Sequence, residues 1–204
     1  MLPALLVVDD FLSDPMQVRD AALKLPYPPA TSNAYYPGRN SGERLFIEGL
    51  DAAVGALVRE PLEPAGDLSH AQTRIALAGD KGAAGVHVDN CHWTGVLCLS
   101  LTEHCHGGTD FFRHLPTGTD RAPLNGEERA AIGLTDPQEV WDRILSPHTN
   151  DPEKWERTTH VPHRFNRLIL FRPWYWHDAG PGFGDSVETG RLIYTMFYRR
   201  TAAA

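Results

Sequence analysis

Asn166-Arg167-Leu168-Ile169-Leu170-Phe171-Arg172-Pro173-Trp174-Tyr175-Trp176-His177 reads as an apolar strand, a proline break and an aromatic run that closes on a histidine. Outward from it, the second half of the chain keeps returning to short strands. His70–Ala78 alternates, with Thr73, Ile75 and Leu77 on one face and Gln72 and Arg74 on the other. Gly85–Asp89, Trp93–Leu101, Thr109–His114 and Arg191–Arg199 are further strands by the same reading. The first part of the chain is helical by comparison. After a short apolar strand at 5–8, Ser13 or Asp14 can cap a helix with Pro15 where a missing N–H costs little. Val18, Ala21, Ala22 and Leu25 share one face of that helix, and Leu50, Val54, Leu57 and Val58 mark a second. Pro26–Gly42 between them reads as a loop containing Tyr35-Tyr36-Pro37-Gly38-Arg39. Many short strands after a helical start predict a mostly β fold, a β-sandwich or jelly roll backed by N-terminal helices.

The length of 204 residues fits a single domain, 1–204, with one long interruption at 117–160. That segment is polar, carries Pro123, Pro137, Pro147 and Pro152, and has a helix around Glu127–Ile132. Between two sheet strands it reads as a lid or binding loop, or as a surface elaboration without function. The net charge of -7 argues against an electrostatic grip on nucleic acid or an anionic membrane. No apolar run approaches a bilayer span. Met1–Val8 lacks a basic flank and runs into Asp9-Asp10, so it reads as a first strand and not as a signal peptide. Three cysteines, Cys91, Cys98 and Cys105, fit no disulfide framework, and a reducing cytoplasm is the simpler setting.

Val86-His87-Val88-Asp89 carries the chemistry. On a strand, residues two apart point the same way, so His87 and Asp89 converge while Val86 and Val88 pack behind them. His177 follows Asp89 by 88 residues and can return to the same pocket across a sandwich. Two histidines and one carboxylate form a facial triad that leaves metal positions open, and nitrogen and oxygen donors without thiolate suit Fe(II) better than structural zinc. Arg191 stands 14 residues after His177, at the start of the last strand. A guanidinium there can grip a carboxylate bidentately, as the far end of a chelating dicarboxylic keto acid requires.

His87-X-Asp89, Gly107-Gly108-Thr109-Asp110-Phe111, the strand leading to His177, and Gly190-Arg191-Leu192 together resemble the 2-oxoglutarate/Fe(II) oxygenase superfamily. Val7-Val8-Asp9-Asp10-Phe11-Leu12-Ser13 is similar to the start of many prolyl-hydroxylase-like members, and Tyr35–Arg39 and Phe165–Leu168 resemble a bacterial branch of them. The resemblance implies a double-stranded β-helix with His87, Asp89 and His177 at its open mouth and 2-oxoglutarate held at C5 by Arg191. It implies O2-dependent hydroxylation of a small molecule, amino acid or peptide, with release of succinate and CO2. Many members place a hydroxyl residue two positions after that arginine; here the position is Ile193, so the helper is expected from another strand, Thr94 or Thr109.

Arg39, Arg113 and His114 are candidates for holding an acidic substrate, and Tyr36 and Trp155 for walling the pocket; each is equally readable as a sheet-edge charge, a loop anchor or core. His104-Cys105-His106 with Cys91 and His92 lacks the paired spacings of a zinc site. Two other readings compete with the oxygenase. A cupin-like iron protein that does not use 2-oxoglutarate has no need of Arg191, and a non-catalytic metal-binding or sensing module has little reason to keep all three ligands.

Overall fold

In the computed structural model, residues 4–29 and 34–201 are described. The chain begins with β1 (Leu5–Val8), α1 (Pro15–Leu23), β2 (Arg39–Arg44), α2 (Leu50–Val58), β3 (Leu62–Pro64) and β4 (Gln72–Ala76). It continues with β5 (Trp93–Cys98), β6 (Gly108–His114), α3 (Gly126–Ala131), β7 (Trp155–Pro162), β8 (Leu168–Phe171), β9 (His177–Asp178) and β10 (Arg191–Arg200). The opening Met1–Pro3, the centre of the Pro26–Gly42 loop and the terminal Ala202–Ala204 lie outside the described residues.

Two antiparallel sheets make the frame. The larger runs β1-β8-β5-β10-β4-β2, with β3 paired to one end of β10, and the smaller runs β7-β6-β9. Alternation along β10 explains how they are used. Leu192, Tyr194, Met196 and Tyr198 face the main core, where they meet Trp93, Leu97, Leu168 and Leu170 from the neighbouring strands. The helices cover this face with Ala22 of α1 and Leu50, Val54 and Val58 of α2, whose spacing of four residues makes a single stripe. Arg191, Ile193, Thr195 and Phe197 point the other way, into a cavity. Helix α1 starts as its sequence dictates: the Asp14 side chain accepts from the Gln17 N–H at 3.1 Å, and Pro15 takes the first turn.

Three elements differ from the sequence reading. Gly85–Asp89 is not a full strand: His87 alone bridges to His177, through paired backbone hydrogen bonds of 2.9 and 3.1 Å. The flanking N–H groups go elsewhere: Gly85 donates to the Thr149 hydroxyl, Val86 to the Thr149 carbonyl and Asp89 to the Pro173 carbonyl. The segment 117–160 also ends earlier than its composition suggests, because Trp155–Pro162 is a strand of the smaller sheet paired along the length of β6. Only Trp155 and Val161 of β7 are buried, so the strand carries no apolar period to read. The polar Arg39–Arg44, partly inside the expected loop, pairs with β4 as edge strand β2 and likewise carries no apolar period to read. Beyond α3, the segment adds a helical stretch of Gln138–Val140, a π-type turn Trp141–Leu145 and Ser146–His148.

Candidate metal centre

His87 and His177 face each other across the bridge between their segments, with ring centroids 4.3 Å apart. Asp89 completes the group: its Oδ2 lies 3.3 Å from His177 Nε2 and its Oδ1 3.8 Å from His87 Nε2. One donor atom from each of the three lies within 4.8 Å of the other two. Among the described residues, no other group of three metal-ligating side chains converges in this way.

The second nitrogen of each imidazole decides what the first can do. His87 Nδ1 is 2.8 Å from the Gly85 carbonyl, and His177 Nδ1 is 2.8 Å from the Tyr175 carbonyl. A carbonyl only accepts, so each Nδ1 donates its proton and each Nε2 presents a lone pair to the cavity. Asp89 is fixed by Thr94, whose hydroxyl donates to Oδ2 at 2.7 Å. Burial, then the His177 charge, pulls the His87 pKa down to about 4. For Asp89, burial pushes upward, but the neighbouring His177 and His87 and the Thr94 hydroxyl hold it at about 2. Neutral imidazole and ionised carboxylate are the states in which these groups bind a cation. The donor set and its spacing fit a divalent metal of the iron type, with no thiolate among the converging donors.

The triad opens into a cavity of about 110 Å³ between the two sheets. Arg191 enters it from β10 and is 3% exposed, and its Nε has no hydrogen-bond partner. Burial lowers its pKa, only partly countered by Cys98 and Asp178. A buried guanidinium left this way is costly unless an anion completes it. Thr109 also lines the cavity, on the β6 side. Tyr36 lies over the mouth, its ring centroid 4.7 Å from that of His87 and its hydroxyl donating to Asp89 Oδ1 at 3.4 Å.

Most of the other expected site residues lie outside the cavity. Thr94 lines the cavity, but its hydroxyl proton goes to Asp89 and not towards Arg191. Arg113 lies outside the cavity, paired with Asp120 at 2.8 Å on the exposed side of β6. Trp155 is 8% exposed and part of a core cluster with Trp176; its indole donates to the His148 carbonyl at 2.7 Å. Arg113 shares the face of Thr109 and Phe111 by alternation but stands at the far end of β6, beside Asp120, and Trp155 at the start of β7 pairs with His114. His114 is buried beside Trp155 and bonds to His148. Arg39 does not line the metal cavity but an adjoining groove. The cysteine and histidine cluster does not form either: Cys91 contacts Thr94, His92 bonds Glu60, and Cys105 bonds backbone carbonyls. Sequence reasoning passed over Arg74, which lines the metal cavity from β4. Its place on the polar face of an alternating strand was the available signal.

Residues 3–198 match the model of a family described as "Family of unknown function (DUF6445)". The chain belongs to this family. No curated protein matches it in sequence. Among solved structures, HygX of Streptomyces hygroscopicus, with nickel, 2-oxoglutarate and hygromycin B bound, superposes with a TM-score of 0.53 at 12% identity, over 98% of this chain and 84% of its own. AviO1 of Streptomyces viridochromogenes gives 0.53 at 14% identity, over 100% and 92%. The non-haem α-ketoglutarate-dependent carbocyclase SnoK of nogalamycin biosynthesis gives 0.52 at 13%, over 96% and 79%. These similarities establish the fold of this family member as the double-stranded β-helix of the 2-oxoglutarate-dependent oxygenases.

Proposed function

We propose that the protein is an Fe(II)- and 2-oxoglutarate-dependent dioxygenase that hydroxylates a small molecule, amino acid or peptide, with release of succinate and CO2. The observation that carries this reading is the pairing, in one cavity, of a converged His-Asp-His triad with a buried arginine whose Nε has no hydrogen-bond partner. A metal alone would use only the triad. An acid that chelates a metal at one end and carries a carboxylate at the other uses both, and 2-oxoglutarate is such an acid. The bound ligands of HygX, a structure of the same fold, agree with that choice.

His87, Asp89 and His177 would hold the metal and Arg191 the C5 carboxylate. Bound iron supplies the redox chemistry that couples decarboxylation of the keto acid to oxidation of a substrate C–H bond. The chain's own work is orientation. The Gly85 and Tyr175 carbonyls fix both imidazole tautomers, Thr94 sets the tilt of the Asp89 carboxylate, and Ile193, Val96 and Phe171 give the cavity dry walls. Desolvation strengthens the grip of Arg191 on an anion. Tyr36 shields the mouth beside His87.

We assign 117–154 as the segment that closes over this mouth. Its Trp141 stacks on Tyr35 with ring centroids 6.4 Å apart, next to Tyr36. Cys91, Cys98 and Cys105 are all free thiols, which supports a cytoplasmic setting. Among the described residues no helix is long and apolar enough to cross a membrane.

The test is spectroscopic. Fe(II) and 2-oxoglutarate added without oxygen should give the visible charge-transfer band of the chelate, and admitting O2 should then yield succinate. Absence of the band in the wild type, or an unchanged band in Arg191→Ala, rejects 2-oxoglutarate as co-substrate and favours a cupin-like or binding role.

A further inference from the structure

Outside the metal cavity lies a groove of about 260 Å³ lined by Pro28, Pro29, Tyr35, Tyr36, Arg39 and Arg74, among others. Tyr36, Asn40 and Arg74 line both spaces and so form part of the wall between the groove and the metal cavity. The partition is firmly built. Arg74 donates to the Pro37 carbonyl at 2.9 Å, to Asn40 Oδ1 at 2.6 Å and to the Tyr36 carbonyl at 2.7 Å. Gly38 allows the loop to lie hard on β4: its φ is +80°, and a Cβ there would meet the Ile75 carbonyl at 2.1 Å.

The bonds made by Arg74 are all to neutral acceptors, so they satisfy its N–H groups without balancing its charge. Burial, then the charge of Arg191, brings its pKa down to about 10, which still leaves it a cation at neutral pH. The acid it feels most, Asp80, is exposed and accepts the Leu77 N–H at 2.8 Å. Among the described residues no carboxylate pairs with Arg74: the strongest charge it feels is the like charge of Arg191, and Arg39 lines the same groove.

Resting on the oxygenase reading above, we propose that the groove binds the acid group of an organic-acid substrate. The carboxylate sits between Arg39 and Arg74, and the apolar body lies on Tyr35 and Pro28 and runs along Tyr36 towards the metal. Tyr36 gives the path its direction: its carbonyl is held by Arg74, and its hydroxyl lies 3.4 Å from Asp89 Oδ1.

The experiment uses the anaerobic Fe(II)–2-oxoglutarate complex of the full chain and matched probes: benzoate, phenylacetate and 3-phenylpropionate against their amides. Formation of the visible band before any probe is added reports on the parent reading. Its absence means that reading has failed, whatever the probes do. With the band present, the carboxylates should perturb it saturably without displacing 2-oxoglutarate, and the amides should bind at least about tenfold more weakly. Arg74→Gln and Arg39→Gln should each weaken the acids about 10–100-fold and leave the amides unchanged. Arg39→Gln leaves the Arg74 clamp on the loop intact and so separates charge from fold. Equal binding of acids and amides, no binding of any acid, or undiminished acid binding in Arg39→Gln would overturn the proposal.

Discussion

Two histidine pairs flank the smaller sheet, and they have opposite fates. His87 and His177 each spend Nδ1 on a backbone carbonyl and turn Nε2 towards Asp89. His114 and His148 spend their nitrogens on each other, Nε2 to Nδ1 at 2.9 Å, with the remaining His114 nitrogen on the Thr117 hydroxyl at 2.8 Å. Burial pulls both His87 and His114 down to about 4, so protonation does not distinguish them. The difference is a free lone pair on each ring and a carboxylate between them. A pair that satisfies itself is packing; a pair satisfied from behind is a site.

Replacing ligands makes the largest break. His87→Ala or His177→Ala should abolish stoichiometric binding of Fe(II) or Ni(II), measured by metal analysis after dialysis. His114→Ala and His148→Ala should retain one metal per chain. Loss of metal from the second pair as well would erase the distinction.

Next is Arg191, the other group in the cavity with an unmet need. Arg191→Met removes one partner of a buried charge contact, worth roughly 2–5 kcal/mol in 2-oxoglutarate binding, or about 30–4,000-fold in Kd. The same variant should make the ligand-free protein more stable, because an unpaired buried charge is gone. A fall in the denaturant midpoint of the ligand-free Arg191→Met protein would show that the guanidinium is already satisfied by the chain.

How much of this is visible in the sequence depends on whether a contact follows from local period. The spacing of His87 and Asp89 and the place of Arg191 at the start of the last strand are local, and these side chains line the cavity. His177 is legible because a strand delivers it. The partner of Thr94 is not, because two acceptors are in reach of a hydroxyl at the cavity wall and only the three-dimensional path of 89–94 selects Asp89. Arg113 and Trp155 lie outside the cavity for a different reason: the position of Arg113 along β6, beside Asp120, is not local information, and β7, which carries Trp155, has too few buried residues to announce itself as a strand. Arg74 is legible as a face and illegible as a role: nothing in an alternating strand says that the polar side looks inward.

Thr94 gives a smaller effect, and it asks how far the site depends on support from behind. Thr94→Val removes the hydroxyl that orients Asp89 and should weaken metal binding about 10–100-fold, the usual scale for such supporting groups. Thr94→Ser should restore it. Titration with Ni(II) reads the change directly, without turnover. A Val variant with wild-type affinity would mean that the two histidines fix Asp89 unaided.

The smallest effect tests the packing pair alone. The pKa of His114 is lowered by burial, then by His148 and Lys154. On acidification the unfolded chain therefore takes up a proton near pH 6.5, while the folded chain waits until about pH 4. Stability from this group is full above pH 6.5 and is lost as the pH falls through about 4. His114→Gln keeps a polar contact to Thr117 but cannot titrate, so urea midpoints at pH 7.0, 5.5 and 4.5 should decline less steeply than in the wild type. His87 still titrates in the metal-free variant, so some slope remains, since burial lowers its pKa as it does that of His114. Ni(II) then separates them: at neutral pH it should raise the midpoint of His114→Gln as much as that of the wild type, and leave His87→Ala unmoved. An unchanged slope in His114→Gln would mean that this pair is hydrated or already charged, and the contrast between the two pairs would have to rest on Asp89 alone.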